Sequence, residues 1–164
     1  MPNRTRRLFT FDQALDAPPH AVFPLLCPVR EYEWIKEWKC DLVYSDTGVA
    51  EEDCVFATDF PMWGAEVWVT TRYDPPHSIE FVKIGAWCAL RYGFILEPAG
   101  GGQTLVRVRQ VFTALNHEGD KRVAAMDQAG YEREKHLLFA KLAHFLGTGA
   151  MLDDGKSLIP ADAD

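Results

Sequence analysis

Residues 120–146 read DKRVAAMDQAGYEREKHLLFAKLAHFL. Val123, Ala124, Tyr131, Leu138, Leu142 and Phe145 recur there at helical spacing, which predicts one continuous helix from about Asp120 to Leu146. A helix with so broad an apolar face needs one large surface to cover. Residues 38–114 supply it, because there the hydrophobic period changes from helical to two. A helix laid across a curved sheet leaves a cleft between the two layers, and small ligands bind in clefts of that kind.

The strands are bounded by strong turn signals. Candidates are 39–45, 53–60, 65–73, 78–84, 89–97 and 103–114, preceded by a first strand within 5–16. Ser45-Asp46-Thr47-Gly48, Asp74-Pro75-Pro76-His77 and Pro98-Ala99-Gly100-Gly101-Gly102 separate them. Strands joined this tightly run antiparallel. Between the first strand and the rest, Ala17-Pro18-Pro19-His20 opens a short buried helix carrying Ala21, Val22, Phe23, Leu25 and Leu26. Pro28 ends it, and Val29 to Trp38 reads as a second short helix with Tyr32, Trp34 or Ile35, and Trp38 on its apolar side.

The last strand reveals the faces of the sheet. Thr104, Val106, Val108, Gln110 and Phe112 alternate with Leu105, Arg107, Arg109, Val111 and Thr113. The two arginines mark the solvent side, so the first set points to the core. A five-residue loop at 98–102 pairs Glu97 with Gln103, Phe94 with Val106 and Tyr92 with Val108. Leu90, Tyr92, Phe94 and Leu96 then share the inner face, because a one-residue slip turns them outward beside the arginines. Arg91 falls opposite Arg109, with Glu80 placed to offset the repulsion.

Composition bounds the function. The chain has 164 residues, 48% of them apolar, and a net charge of −7. It is long enough for a sizeable core, and its charge argues against nucleic acid or an anionic membrane as partner. No apolar run reaches membrane-spanning length, and Leu8-Phe9-Thr10-Phe11 is cut short by Asp12, which leaves no signal-peptide core. A cytoplasmic protein without stable membrane insertion is expected. Cys27, Cys40, Cys54 and Cys88 form no C-x-x-C pair, so reduced cysteines and no metal or other cofactor are expected. Residues 1–147 read as one domain. Residues 148–164, with Asp153, Asp154, Asp162 and Asp164 among Gly149, Gly155 and Pro160, read as a mobile acidic tail.

The order is strand, two short helices, six antiparallel strands and a long C-terminal helix. It resembles the START/Bet v 1-like superfamily, also called SRPBCC or helix-grip proteins, and its polyketide cyclase/dehydrase-like branch in particular. The resemblance is carried by Ala17 to Leu26 as the first helix entry, by the tryptophan-rich Val29 to Trp38, by Tyr73-Asp74-Pro75-Pro76-His77, and by the hairpin from Leu96 to Thr104. It covers roughly residues 5–147. It implies an α+β helix-grip fold, a seven-stranded antiparallel sheet around the long helix, with a hydrophobic cavity between them. Members bind lipids, sterols, polyketides or other apolar molecules, and some are cyclases or aromatases. There is no universal catalytic motif to carry across.

Three functions stay open: binding or transport of a small hydrophobic molecule, a polyketide cyclase/dehydratase-like enzyme on an aromatic or polyketide-type substrate, and a protein-interaction module such as a chaperone-linked regulator. The candidate ligand-binding residues are Tyr92, Phe94, Val108, Gln110, Asp127, Glu134 and Leu138; no catalytic residue is assigned. Tyr92 and Gln110 interrupt an apolar face and need hydrogen-bond partners, from each other, the backbone, water or a ligand. Asp127 and Glu134 share a helix side near Leu138, where one carboxylate could orient a ligand or sit in a surface ion pair. Gly130 lies between them. Phe60-Pro61-Met62-Trp63-Gly64 is an aromatic turn that folds onto the core, covers the cavity mouth or forms a homodimer contact. The scattered histidines match no nucleophile or metal motif.

Overall fold

The computed structural model describes residues 3–159. Seven strands form one antiparallel sheet: β1 (Arg6–Leu15), β2 (Asp41–Tyr44), β3 (Val55–Phe60), β4 (Gly64–Asp74), β5 (Ser78–Gly85), β6 (Cys88–Pro98) and β7 (Thr104–Ala114). Their order is β1-β7-β6-β5-β4-β3-β2, so every sequential pair from β2 onward is a neighbour and β1 closes onto β7. Helix α1 (Pro19–Val22) runs into a 3-10 turn at Phe23–Leu26; helices α2 (His117–Ala125) and α3 (Gln128–Thr148) close the chain. This is the helix-grip arrangement. Among the described residues no helix is long and apolar enough to cross a membrane.

The inner face is the expected one. Thr104, Val106, Val108, Gln110 and Phe112 are all buried, as are Leu90, Phe94 and Leu96, with Tyr92 half-buried. The pairing is two residues off. Phe94 faces Val108, Tyr92 faces Gln110, and Glu97 faces Leu105. The cause is the turn: Gly100, Gly101 and Gly102 all take positive φ, letting Ala99 N–H reach Gln103 O at 3.0 Å and carrying both strands further toward the tip. A two-residue shift keeps every side chain on its face. It also places Arg109 opposite Gly93, and Arg91 opposite Val111 with its guanidinium 2.8 Å from Glu80.

The C-terminal helix is not continuous. Met126 and Asp127 are extended, and the Asp127 carboxylate accepts the Gly130 N–H at 2.6 Å as the N-cap of α3. The Asp-x-x-Gly pattern carried that signal, but the apolar spacing ran across it. Gly119 in α2 sits where a Cβ would collide with the Trp87 carbonyl, so only glycine lets the helix approach β6 there. The second short helix reduces to a 3-10 turn at Glu31–Glu33. Trp34 and Ile35 are both buried behind it, whereas Tyr32 is exposed and its hydroxyl donates to Cys40 O.

On α3, Tyr131, Lys135, Phe139 and Leu142 turn inward at spacings of four, four and three. Tyr131 stacks on Phe9 and Phe139 on Phe11. Past the Gly149 cap, Leu158 packs against the core, Asp154 lies 3.7 Å from Lys141 and Asp153 lies 3.5 Å from Lys36. Pro160, Asp162 and Asp164 of the expected tail lie outside the described residues.

Candidate functional site

Strand register builds the floor of the site. On the inner face, one row across the sheet is Phe56, Trp68, Lys83, Leu90 and Phe112. The next row is Thr70, Phe81, Tyr92, Gln110 and Phe9. Helix α3 covers one side with Glu134, Lys135 and Leu138, while Leu26, Pro28, Glu31, Ile35 and Trp38 form the other. Met62 and Trp63 of the aromatic turn, and Leu158 and Ile159 of the C-terminal segment, complete the wall. They enclose a cavity of 160 Å³.

Of the residues singled out from sequence, the structure brings Tyr92, Phe94, Gln110, Glu134 and Leu138 together around this cavity. Two are elsewhere. Val108 lies one row beyond Gln110, between Phe94 and Phe11 in the register, and is 1% exposed in the solid core. Asp127 is exposed, spends its carboxylate on the helix cap and is not among the residues lining the cavity. Trp63 stacks on Trp87 at 4.9 Å, so this part of the aromatic turn folds inward.

The cavity also holds charges that the sequence reading passed over. Lys83 Nζ bonds Glu66 Oε2 at 2.8 Å, with side chains only 7% and 2% exposed, and stands 4.1 Å from the Trp63 ring centre and 4.9 Å from that of Trp68. Burial pushes the Glu66 carboxyl up and the Lys83 amine down, and each partner's charge opposes the other's shift. Lys135, 1% exposed, donates to the Tyr92 hydroxyl at 3.2 Å and to Glu134 at 2.9 Å. Burial, then the charges of Glu134 and Glu31, hold the Tyr92 hydroxyl well above the usual phenol range. Half-buried Glu31 is pushed up to about 8 by burial, against the pull of Lys135.

Strand parity was the usable signal for the pair. Placing Glu80 outward beside Arg91 puts residues 79, 81 and 83 inward, and Glu66 shares its side of β4 with Trp68 and Thr70. Lys135 follows Tyr131 by one helical turn. Charged residues default to solvent in a sequence reading, and here that default fails.

Two polar atoms near the site have no partner among the described residues: Gln110 Oε1 and the Tyr131 hydroxyl. The cysteines are distributed: Cys27 accepts the Ala50 N–H, Cys54 meets Thr70 Oγ1 at 3.1 Å, and Cys40 approaches Pro28 O. All four are free thiols.

No family model matches the chain, and no curated protein matches it. Solved structures do. An uncharacterised protein from Rhizobium leguminosarum aligns at 15% identity over 88% of this chain and 97% of its own, with a TM-score of 0.62. Norcoclaurine synthase from Thalictrum flavum, in complex with dopamine and hydroxybenzaldehyde, aligns at 10% identity over 88% of each chain, TM-score 0.62. CalU16 from Micromonospora echinospora aligns at 17% identity over 90% of this chain and 88% of its own, TM-score 0.56. At these identities the likeness is one of fold, and it is the helix-grip fold expected from the sequence.

Proposed function

We propose that this protein binds one small, ring-sized, largely apolar molecule bearing a hydrogen-bonding group. The observation that carries the reading is an aromatic-walled cavity of 160 Å³ with Gln110, whose buried Oε1 has no partner among the described residues, on its floor. An engineered apolar cavity of about 150 Å³ accepts benzene, so the space suits a single ring better than a long acyl chain. Buried acceptors without a donor are costly. A ligand N–H or O–H at Gln110 removes that cost, and an acceptor on the ligand faces the buried Lys135 ammonium. The synthase of the same fold that holds dopamine and hydroxybenzaldehyde, two single-ring molecules, supports this size class.

Trp38, Trp63 and Trp68 line the cavity, so their fluorescence reports its occupancy. Titration with phenol, benzyl alcohol and 4-hydroxybenzoate should give saturable quenching, and palmitate none. Saturation by palmitate with no response to any ring compound overturns the reading. A catalytic role has one specific observation in its favour, the ionisable pair Lys83–Glu66 inside the cavity.

A further inference from the structure

We propose that the Lys83 amine is a carbonyl-reactive nucleophile, with Glu66 as its proton carrier, and that the cavity takes small aromatic aldehydes which it holds as an imine. This rests on the ring-binding reading above. Lys83 is the ionisable group best placed for such chemistry. Its side chain lines the cavity, yet is only 7% exposed, so bulk water scarcely reaches it. Its one carboxylate partner, 2% exposed, is 2.8 Å away, close enough to take or return a proton directly. Lys135 differs on the same points: its carboxylate partner Glu134 is 53% exposed, and its ammonium is committed to Tyr92 as well.

Burial disfavours both charges, which lowers the cost of passing the proton from Lys83 to Glu66 and leaving a neutral amine beside a carboxylic acid. The amine lone pair attacks the aldehyde carbon, a C–N bond forms, and the carbonyl π pair moves to oxygen. Glu66 gives its proton to that oxygen and takes one from the nitrogen, leaving a carbinolamine. Returning that proton to the hydroxyl releases water as the nitrogen lone pair closes the C=N bond. The product is an iminium ion beside the Glu66 carboxylate. One ammonium–carboxylate pair and one aldehyde have become one iminium–carboxylate pair and one water, so charge and atoms balance and no oxidant or reductant is needed. The new cation keeps the two indole faces that Lys83 already has at 4.1 and 4.9 Å.

The test incubates the full chain with benzaldehyde and sodium cyanoborohydride at neutral pH, then maps the reduced adduct by peptide mass spectrometry. The expected result is one benzyl group on Lys83, suppressed by excess benzyl alcohol. Glu66→Gln should slow trapping at least about tenfold, since a general acid–base is removed. Lys83→Arg should abolish it, while circular dichroism reports whether that variant folds. The wild-type map decides the matter by itself. An adduct on Lys135 or spread over the exposed lysines, with Lys83 unmodified, overturns this inference; if benzyl alcohol still quenches the tryptophans, the ring-binding reading survives it. Absence of both the adduct and the quenching overturns both.

Discussion

Lys83 and Lys135 line one cavity, from the sheet and from the helix, with side chains 7% and 1% exposed, and are neutralised in opposite ways. Lys83 belongs to the sheet, and its carboxylate Glu66 is sealed in beside it. Lys135 belongs to the helix, and its carboxylate Glu134 reaches out to water at 53% exposure. The rigid wall therefore carries a closed pair in which each charge depends on the other. The helical wall carries an open one, anchored to Tyr92 and screened from outside. In the proposed reading the first exchanges a proton and the second orients a ligand's polar end.

The largest effect should come from breaking the closed pair. Lys83→Met leaves the Glu66 carboxylate, 2% exposed, without its ion-pair partner, and should cost about 3–5 kcal/mol in urea unfolding. Adding Glu66→Leu should restore most of it, because two apolar groups replace two charges. Lys135→Met leaves Glu134 free to hydrate and removes one hydrogen bond to Tyr92, at about 1 kcal/mol. Equal losses from the two single variants would erase the contrast between the walls.

The pH dependence sharpens it from the third side of the cavity. The Glu31 carboxyl is raised from 4.5 to about 8 in the folded chain. Between those values the native state keeps a proton that the unfolded chain has lost, so this group's contribution to stability falls as pH rises through that window and is flat above it. Glu31→Gln should remove that slope. The difference between variant and wild-type melting temperatures, followed from pH 4.5 to about 8, isolates this group's contribution. A difference that stays constant with pH would place Glu31 in water.

Much of the fold was legible because alternation is a strong constraint. Two arginines on β7 settled which face of the sheet is inside, and parity carried that choice to β6. Loop length was weaker evidence: three glycines in left-handed conformations tighten a turn more than counting residues suggests, hence the two-residue error in register. The helix looked continuous because an N-cap inside an apolar repeat breaks the backbone without breaking the period. Apart from Glu134, the site was legible only for its neutral members. Gln110 and Tyr92 stood out as polar residues on an apolar face, while Lys83, Glu66 and Lys135 look like surface residues until their partners are seen. No local pattern links positions 66 and 83, since their meeting depends on the β4–β5 register, where Trp68 faces Lys83 and Glu66 sits on the diagonal.

A smaller effect concerns the unpaired amide. Gln110→Leu removes an acceptor that has no donor, so stability should change by less than about 1 kcal/mol. Affinity for phenol should fall about tenfold, the worth of one good hydrogen bond, while toluene should bind no worse. Tryptophan quenching by the two compounds gives the ratio directly. An unchanged phenol-to-toluene ratio would move the polar contact to Lys135 or Tyr92.

The last effect belongs to the segment after Gly149, where kinetics is the better readout. Leu158 and Ile159 line the cavity, and the segment is tied down by Asp154 to Lys141 at 3.7 Å and by Asp153 to Lys36 at 3.5 Å. The second tie joins groups 62% and 75% exposed, and such pairs contribute at most about 1 kcal/mol. Lys141 is different. Its side chain is 3% exposed, so Asp154 supplies a countercharge to a nearly enclosed ammonium. Ending the chain at Gly149 should therefore lower stability only modestly, yet uncover the cavity between α3 and the turn at Glu31–Glu33. Stopped-flow tryptophan quenching by benzyl alcohol should show faster entry and faster exit, with the dissociation constant changed less than either rate. High salt should push the intact chain part of the way toward the truncated one, because it weakens the exposed tie first. Rates that are identical with and without the segment, at every salt concentration, would mean that ligands enter past Met62 and Trp63 instead.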